Sequence, residues 1–169
     1  MMGVVEHAAV SDVSMGDSQK APSAAFEAFY VAELPGQVRR AYLLVGSDEA
    51  ANDIVHEAMV SVYRDWHRIA QPGAYLNRAV LNGCREHHRR VQRSQRLVSR
   101  IAASPLSAPP ENDLTDVLAA LPFPQRAAVV LRYFEQRSTA DIAEALNCSV
   151  GSVGPWINRA IKKMREALS

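Results

Sequence analysis

In the stretch GSDEAANDIVHEAMVSVYRDW, residues 46–66, Ala51, Ile54, Val55, Ala58, Met59, Val62 and Trp66 recur at three- and four-residue intervals. That spacing is one apolar stripe of an α-helix and is incompatible with the two-residue period of a half-buried strand. Ser47 stands where a helix N-cap belongs, with Asp48 and Glu49 next to it, where carboxylates complement the positive end of the helix dipole. The stripe commits the segment to burying one side against other elements, and the rest of the chain offers helices to bury it against.

Upstream, Ala25, Phe26, Phe29 and Tyr30 predict a helix over 24–33, with Pro35-Gly36 as a break before a second helix from Val38 to Val45. Downstream of Gln71-Pro72-Gly73, the segment AYLNRAVLNGCREHHRRVQRSQRLVSR carries Tyr75, Leu76, Ala79, Val80 and Cys84 on one side. Its other side holds Asn77, Arg78, Asn82, Arg85, Arg89 and Arg93. IAASPLSAPPEND, residues 101–113, lacks a period and reads as a partly extended linker. Beyond it, Ala127, Val130, Leu131 and Phe134 point inward from one helix and Ile142, Ala143 and Leu146 from the next, capped by Ser138 or Thr139. After the Asn147-Cys148-Ser149 turn a last helix buries Val153, Ile157, Ala160, Ile161, Met164 and Leu168. A short helix, a tight turn and a helix ending in Arg159, Lys162, Lys163 and Arg165 is helix-turn-helix spacing, which bundles that never touch DNA also use.

The expected fold is all-α: two small helical domains joined by a flexible linker, the C-terminal one a helix-turn-helix. Boundaries fall at a disordered tail over 1–23, a first domain over 24–96, a linker over 97–113 and a second domain over 114–169.

Charge separates these parts although the whole chain carries only +1. Residues 24–66 hold seven acids against three arginines, and residues 67–100 hold eight arginines against the single acid Glu86. Glu49, Asp53 and Glu57, four residues apart, form an acidic row that is either a solvated face or a docking row for a basic surface. The arginine-rich face alternates with amide side chains, which hydrogen-bond base edges as well as phosphates, so it suits a polyanion. Tyr63 and Trp66 could stack on an unpaired base, but their spacing also fits the core.

Enzyme classes find little support. His56-Glu57 resembles the start of a zinc-hydrolase helix, but Val60 stands where the second histidine would be. His87 and His88 are adjacent and face different sides of a helix, and no phosphate-cradling glycine loop or nucleophile–base pair is visible. No catalytic residue, metal or cofactor is expected. Cys84 and Cys148 form no CxxC pattern, and no apolar run reaches membrane-spanning length, so a cytoplasmic protein is expected.

Residues 24–169 resemble the extracytoplasmic-function (ECF) class of bacterial RNA polymerase sigma factors. DEAANDIVHEAMVSVYRDW is similar to region 2.2 of that family and PGAYLNRAVLNGCREHHRR to regions 2.3 and 2.4. LPFPQRAAVVLRYFEQRSTADIAEALNCSVGSV is similar to region 4, with Leu-Pro, an Arg four residues later, Leu-Arg-Tyr, Ile-Ala, Leu and Gly-x-Val. The resemblance implies a sigma factor that binds core polymerase and recognises the −10 and −35 promoter elements. By it, Glu49, Asp53 and Glu57 become polymerase contacts. Residues 67–73 would form a loop capturing a flipped base, and Trp66, His67, Asn77, Arg78, Asn82, Arg85 and Arg89 would meet the −10 strand. Ser152, Gly154, Pro155, Trp156, Arg159 and Lys163 would meet the −35 duplex. Core RNA polymerase and promoter DNA are the implied partners, an anti-sigma factor is a further one, and no membrane is involved. The alternative is a one-component helix-turn-helix regulator, which would bind duplex DNA tightly without polymerase.

One departure from the family stands out. After Gly-x-Val the family commonly has a basic residue, Ser and Arg, whereas this chain has Gly154, Pro155 and Trp156. Were Ser149 the cap, Pro155 would be the sixth helical residue, at a cost of roughly 3 kcal/mol. The expectation is therefore that the last helix starts at Ser152, with Pro155 in its first turn. Gly154 would then allow a close phosphate approach, and Trp156 would present an apolar surface suited to thymine methyls.

Overall fold

The computed structural model describes residues 23–101 and 113–169. Residues 1–22 of the expected 1–23 tail and the middle of the expected linker lie outside the described residues. The described residues form helices α1 (Ala24–Val45), α2 (Asp48–Arg64), α3 (Pro72–Ile101), α4 (Leu114–Ala119), α5 (Phe123–Val129), α6 (Thr139–Leu146) and α7 (Val150–Leu168), with no strand. A π-helical turn over Val130–Phe134 continues α5.

The first unit is an α1–α3 bundle. Ser23 caps α1 by accepting from the Phe26 N–H, and Gly46, at φ 74°, closes it with an N–H bond to the Tyr42 carbonyl. Left-handed backbone there strongly favours glycine. Ser47 caps α2 as expected. Ala51, Val55, Ala58, Met59 and Val62 are buried against Ala41 and Leu44 of α1 and Leu76, Val80, Leu81 and Cys84 of α3.

α1 corrects the expected break, because one helix runs through Pro35. The proline lacks an N–H for the Val31 carbonyl, but Pro35 is exposed and Val31 is 72% exposed. Water reaches that side of the helix, and the buried side keeps its hydrogen bonds. α3 also extends past residue 96, where the first domain was expected to end, and residues 91–100 are all exposed.

The second unit wraps α4–α7 around Ala127, Val130, Leu131, Ile142, Ala143, Val153 and Ile157. Ser138 and Asp141 form a reciprocal capping box on α6, and Asn147, at φ 52°, turns the chain into α7. Phe134, expected inside, is 39% exposed. The π-helical turn changes the angular step, and the ring lies instead under the Arg39 guanidinium, 5.4 Å from its centroid.

α7 corrects the expected start. It begins at Val150, with Ser149 in the extended N-cap conformation, so Pro155 is inside the helix. Gly154 accommodates it. A proline ring crowds the carbonyl four residues back and the Cβ of the residue before it. The first is Gly151 and the second is Gly154, which has no Cβ to clash and is exposed to open space.

The two units pack on each other. Leu43 of α1 sits against the Leu118, Leu121, Val129 and Ala160 cluster of the second unit, and the His88 and Phe123 rings lie 5.4 Å apart. Arg126, 4% exposed, donates to the Leu44 carbonyl (2.6 Å), the Ala119 carbonyl (2.6 Å) and the Leu121 carbonyl (3.0 Å).

Candidate nucleic-acid interface

Three surfaces carry the residues singled out from the sequence. On α2, Glu49, Asp53 and Glu57 are all exposed, one turn apart, and none makes an ion pair among the described residues. They line a shallow depression of about 330 Å³ with Ile54, His87 and Arg90. The row is therefore free to meet a basic surface, its charge softened at one edge by Arg90.

The second surface is the loop after α2 and the polar side of α3. His67 is exposed in the turn following α2, next to an Asp65–Arg68 ion pair. Trp66 is half-buried, edge-on to Phe26 and 5.3 Å from both Phe26 and Phe29, so its ring is committed to the aromatic packing of α1. The loop and the start of α3 enclose an open hollow of about 680 Å³, lined by Arg68, Gln71, Tyr75 and Arg78 among others. Gln71 falls within the 67–73 loop expected from the sequence, whereas the sequence reading placed Tyr75 on the apolar stripe. Tyr75 is 37% exposed, with its hydroxyl on Ser61 (3.0 Å). Its position at the first turn, where few residues can cover it, was the available signal.

Along α3, Arg78, Asn82 and Arg89 are exposed, and Arg85 donates to the Asn82 side-chain oxygen (3.2 Å). Asn77 differs from its neighbours. Its side-chain oxygen accepts from Gln37 (2.6 Å) and Arg40 (3.1 Å), and its backbone carbonyl accepts from Arg40 (3.0 Å). Arg40 is 4% exposed, and its Nε forms an ion pair with Glu135 of the second unit at 2.5 Å. That contact is charge to charge rather than a hydrogen bond, and neither of its two atoms has a hydrogen-bond partner. Burial lowers the Arg40 pKa while Glu135 opposes the shift, leaving the guanidinium charged. Asn77, Arg78, Asn82 and Arg85 form one wall of a cleft of about 640 Å³; Arg137, Asp141 and Glu144 of the second unit stand on the other.

The third surface is α7. Gly154, Pro155, Arg159 and Lys163 are exposed, while Ser152 is half-buried with its hydroxyl 2.7 Å from that of Ser149. Trp156 is half-buried against the core, so only part of the indole faces outward. Asn158, next to Arg159 and exposed, adds an amide that the sequence reading did not select. Asp141 of the capping box is held below the usual carboxylate range by the Ser138 hydroxyl and N–H. Among the described residues no cluster of His, Cys, Asp and Glu could hold a metal ion, and no helix is long and apolar enough to cross a membrane.

A three-helix unit bearing an acidic row and an amide-and-arginine face, followed by a four-helix unit ending in a helix-turn-helix, defines a two-part DNA-binding transcription factor of the sigma type. Sigma-70 region 2 matches residues 29–94, and Sigma-70 region 4 matches residues 111–164. The RNA polymerase sigma-E factor of Streptomyces coelicolor is 32% identical over 151 residues, covering 85% of each chain. That of Streptomyces antibioticus is 33% identical over 133 residues, covering 74% of each. Two solved structures share the fold. The sigma factor RpoE of Bartonella quintana, in complex with the anti-sigma factor NepR, matches at TM-score 0.65 and 20% identity, covering 85% of this chain and 96% of that one. CnrH, in complex with the cytosolic domain of CnrY, matches at TM-score 0.60 and 21% identity, covering 85% and 87%. The chain belongs to the sigma-70 family of RNA polymerase sigma factors, and it is of the ECF class, an alternative sigma factor that directs transcription initiation. Its first half is thus region 2, which answers the choice against a one-component regulator.

Proposed function

We propose that α2 docks the chain on core RNA polymerase through Glu49, Asp53 and Glu57, that α3 and the loop before it hold the opened −10 strand, and that α7 reads the −35 duplex. The observation that carries this reading is segregation. One small bundle presents an exposed carboxylate row on α2 and, separately, Arg78, Asn82, Arg85 and Arg89 on α3. A basic protein surface and a nucleic-acid strand can therefore be bound together without competing.

An extruded base fits the hollow beside Gln71, Tyr75 and Arg78, where unstacking of a few kcal/mol is offset by stacking and polar contacts. On α7, Arg159 and Asn158 are the donors set to enter a major groove, with Lys163 on phosphate. The exposed part of Trp156 offers an apolar edge to thymine methyls. An anti-sigma protein is a further partner class, supported by the similar structure of the sigma factor RpoE in complex with the anti-sigma factor NepR. The chain works in the cytoplasm with no catalytic residue of its own, redirecting the polymerase's chemistry by choosing where strands open.

The test is core-polymerase affinity of the Asp53→Asn/Glu57→Gln double variant. A loss of about tenfold with unchanged thermal unfolding is expected. Unchanged affinity would remove the acidic row from the docking surface.

A further inference from the structure

A second cleft between the units, of about 470 Å³, takes no part in the function proposed above. Its polar side chains are His87, His88, Gln92 and Gln95 of α3 and Arg126 of α5, and none of the described residues on its wall is Asp or Glu. The cleft beside Asn77, by contrast, mixes arginines with Asp141 and Glu144, and the depression on α2 carries three carboxylates. Leu44, Val91 and Leu121 are among the apolar residues that complete the wall. Small-molecule sites have this make-up: a hollow of about 300–1,000 Å³ at a junction between domains, mainly apolar, with a few convergent polar groups. Arg126 supplies the charge. Its guanidinium has five N–H groups, of which three meet the Leu44, Ala119 and Leu121 carbonyls, while Nε has no hydrogen-bond partner. Although only 4% exposed, Arg126 forms no ion pair among the described residues. Carbonyl dipoles satisfy donors but leave the net charge uncancelled, and a buried charge without a counter-ion is costly. Nε is itself sealed from solvent, so the charge acts on the cleft through its field, which apolar surroundings screen weakly. His87 and His88 are half-buried, and their pKa values are lowered first by burial, then by Arg90 for His87 and by Arg126 and His87 for His88. Near neutral pH each ring is therefore uncharged and offers one N–H.

We propose that this cleft binds a small organic monoanion, a carboxylate carried on a short apolar body. One fixed positive charge among uncharged donors matches a single negative charge, whereas a phosphate dianion would call for a second cation on the wall. The carboxylate lies among His87, His88, Gln92 and Gln95 in the field of Arg126, and the body lies against Leu44, Val91 and Leu121. None of the five polar residues belongs to the surfaces assigned to polymerase or promoter, so the site stands apart from those assignments. Its occupant touches α1, α3 and the turn between α4 and α5 together and stabilises their pairing by mass action.

The probe is hexanoate, titrated into the full chain at fixed ionic strength, with 1-hexanol as the apolar body without charge and inorganic phosphate as the anion without a body. Hexanoate is expected to shift the His87 and His88 imidazole resonances to saturation, to raise the His88 pKa read from those shifts, and to raise the thermal unfolding midpoint. Absence of a saturable shift overturns the proposal. So does an equal response to 1-hexanol, which would leave apolar filling only, or an equal response to phosphate, which would leave an adventitious ion only. The Gln92→Ala/Gln95→Ala variant truncates two exposed amides. Without ligand it is expected to unfold at the same temperature as the unmodified chain, and to bind hexanoate about tenfold more weakly. Gln92→Glu places a fixed carboxylate on the wall and is expected to abolish hexanoate binding while itself raising the His88 pKa. Unchanged hexanoate affinity in either variant would move the carboxylate out of this cleft and overturn the assignment.

Discussion

The Arg126 guanidinium is tied to the Leu44 carbonyl at 2.6 Å, eighty-two residues away in the chain. The same side chain satisfies Ala119 and Leu121, so one residue both closes the turn between α4 and α5 and fastens region 4 to the end of α1. The two terminal nitrogens divide the work, one facing the Leu44 carbonyl and the other facing those of Ala119 and Leu121, so the head reaches both sides of the junction at once.

Arg126→Lys is therefore expected to behave as a loss rather than a conservative change. A single ammonium nitrogen cannot stand at both guanidinium nitrogen positions and leaves at least one buried carbonyl unpaired, at about 1–3 kcal/mol. Urea unfolding followed by circular dichroism measures it; a midpoint equal to that of the unmodified chain would show that the three bonds carry no net stability.

Gly83 allows α2 and α3 to approach. A Cβ there would lie 2.7 Å from Ile54 Cγ2, a separation at which the Ile54 side chain or the helix has to shift. Gly83→Ala should lose about 1–3 kcal/mol despite alanine's better helix propensity. Adding Ile54→Ala should recover part of that loss, measured as non-additivity in thermal unfolding of the two single variants and the double.

Much of this architecture was legible in the sequence. The α2 stripe, its Ser47 cap and the α6–turn–α7 pattern all emerge from local periodicity, because each depends on residues within a few turns of one another. Pro35 and Pro155 misled for a shared reason. A proline's effect depends on whether the carbonyl it leaves open can reach water and whether its neighbours lack a Cβ, and the first of these is a tertiary property. Long-range polar pairing was also hidden: nothing near Arg40 in sequence points to Asn77 or Glu135, and Arg126 was visible as a family motif position without its partners. The site divides similarly. The exposed charges of α2 and α3 followed from helical faces, whereas the hollow at Gln71 and Tyr75 depends on how the loop folds back.

Pro155 and Gly154 give a paired test of the corrected helix start. Pro155→Ala restores a donor to the Gly151 carbonyl and should stabilise region 4, by up to about 3 kcal/mol. Gly154→Ala, ordinarily favourable in a helix, should give no gain while Pro155 remains, because the new Cβ meets the proline ring. Its benefit should return in the Pro155→Ala background, as read from melting temperatures of the four proteins.

Acid should loosen the contact between the halves. His88 lies against Phe123, with Arg126 and His87 the charged and titratable groups facing it, and its pKa is lowered from 6.5, first by burial and then by those two neighbours. His87 is lowered as well, by burial and Arg90. A depressed imidazole pKa means the unfolded chain binds more protons between the two values, so stability is retained above 6.5 and lost as pH falls below it. Unfolding midpoints compared at about pH 7.5 and about pH 5.5 should decline on acidification, and His88→Gln should flatten part of that decline.

The most direct measurement is run-off transcription with purified bacterial core polymerase on a library of genomic fragments, with the chain added or omitted. New start sites that appear only with the chain, and that weaken in Arg159→Ala more than core binding does, are the expected result. Tight duplex binding by the chain alone, with no new starts when core polymerase is added, would contradict its assignment as a promoter-selecting sigma factor.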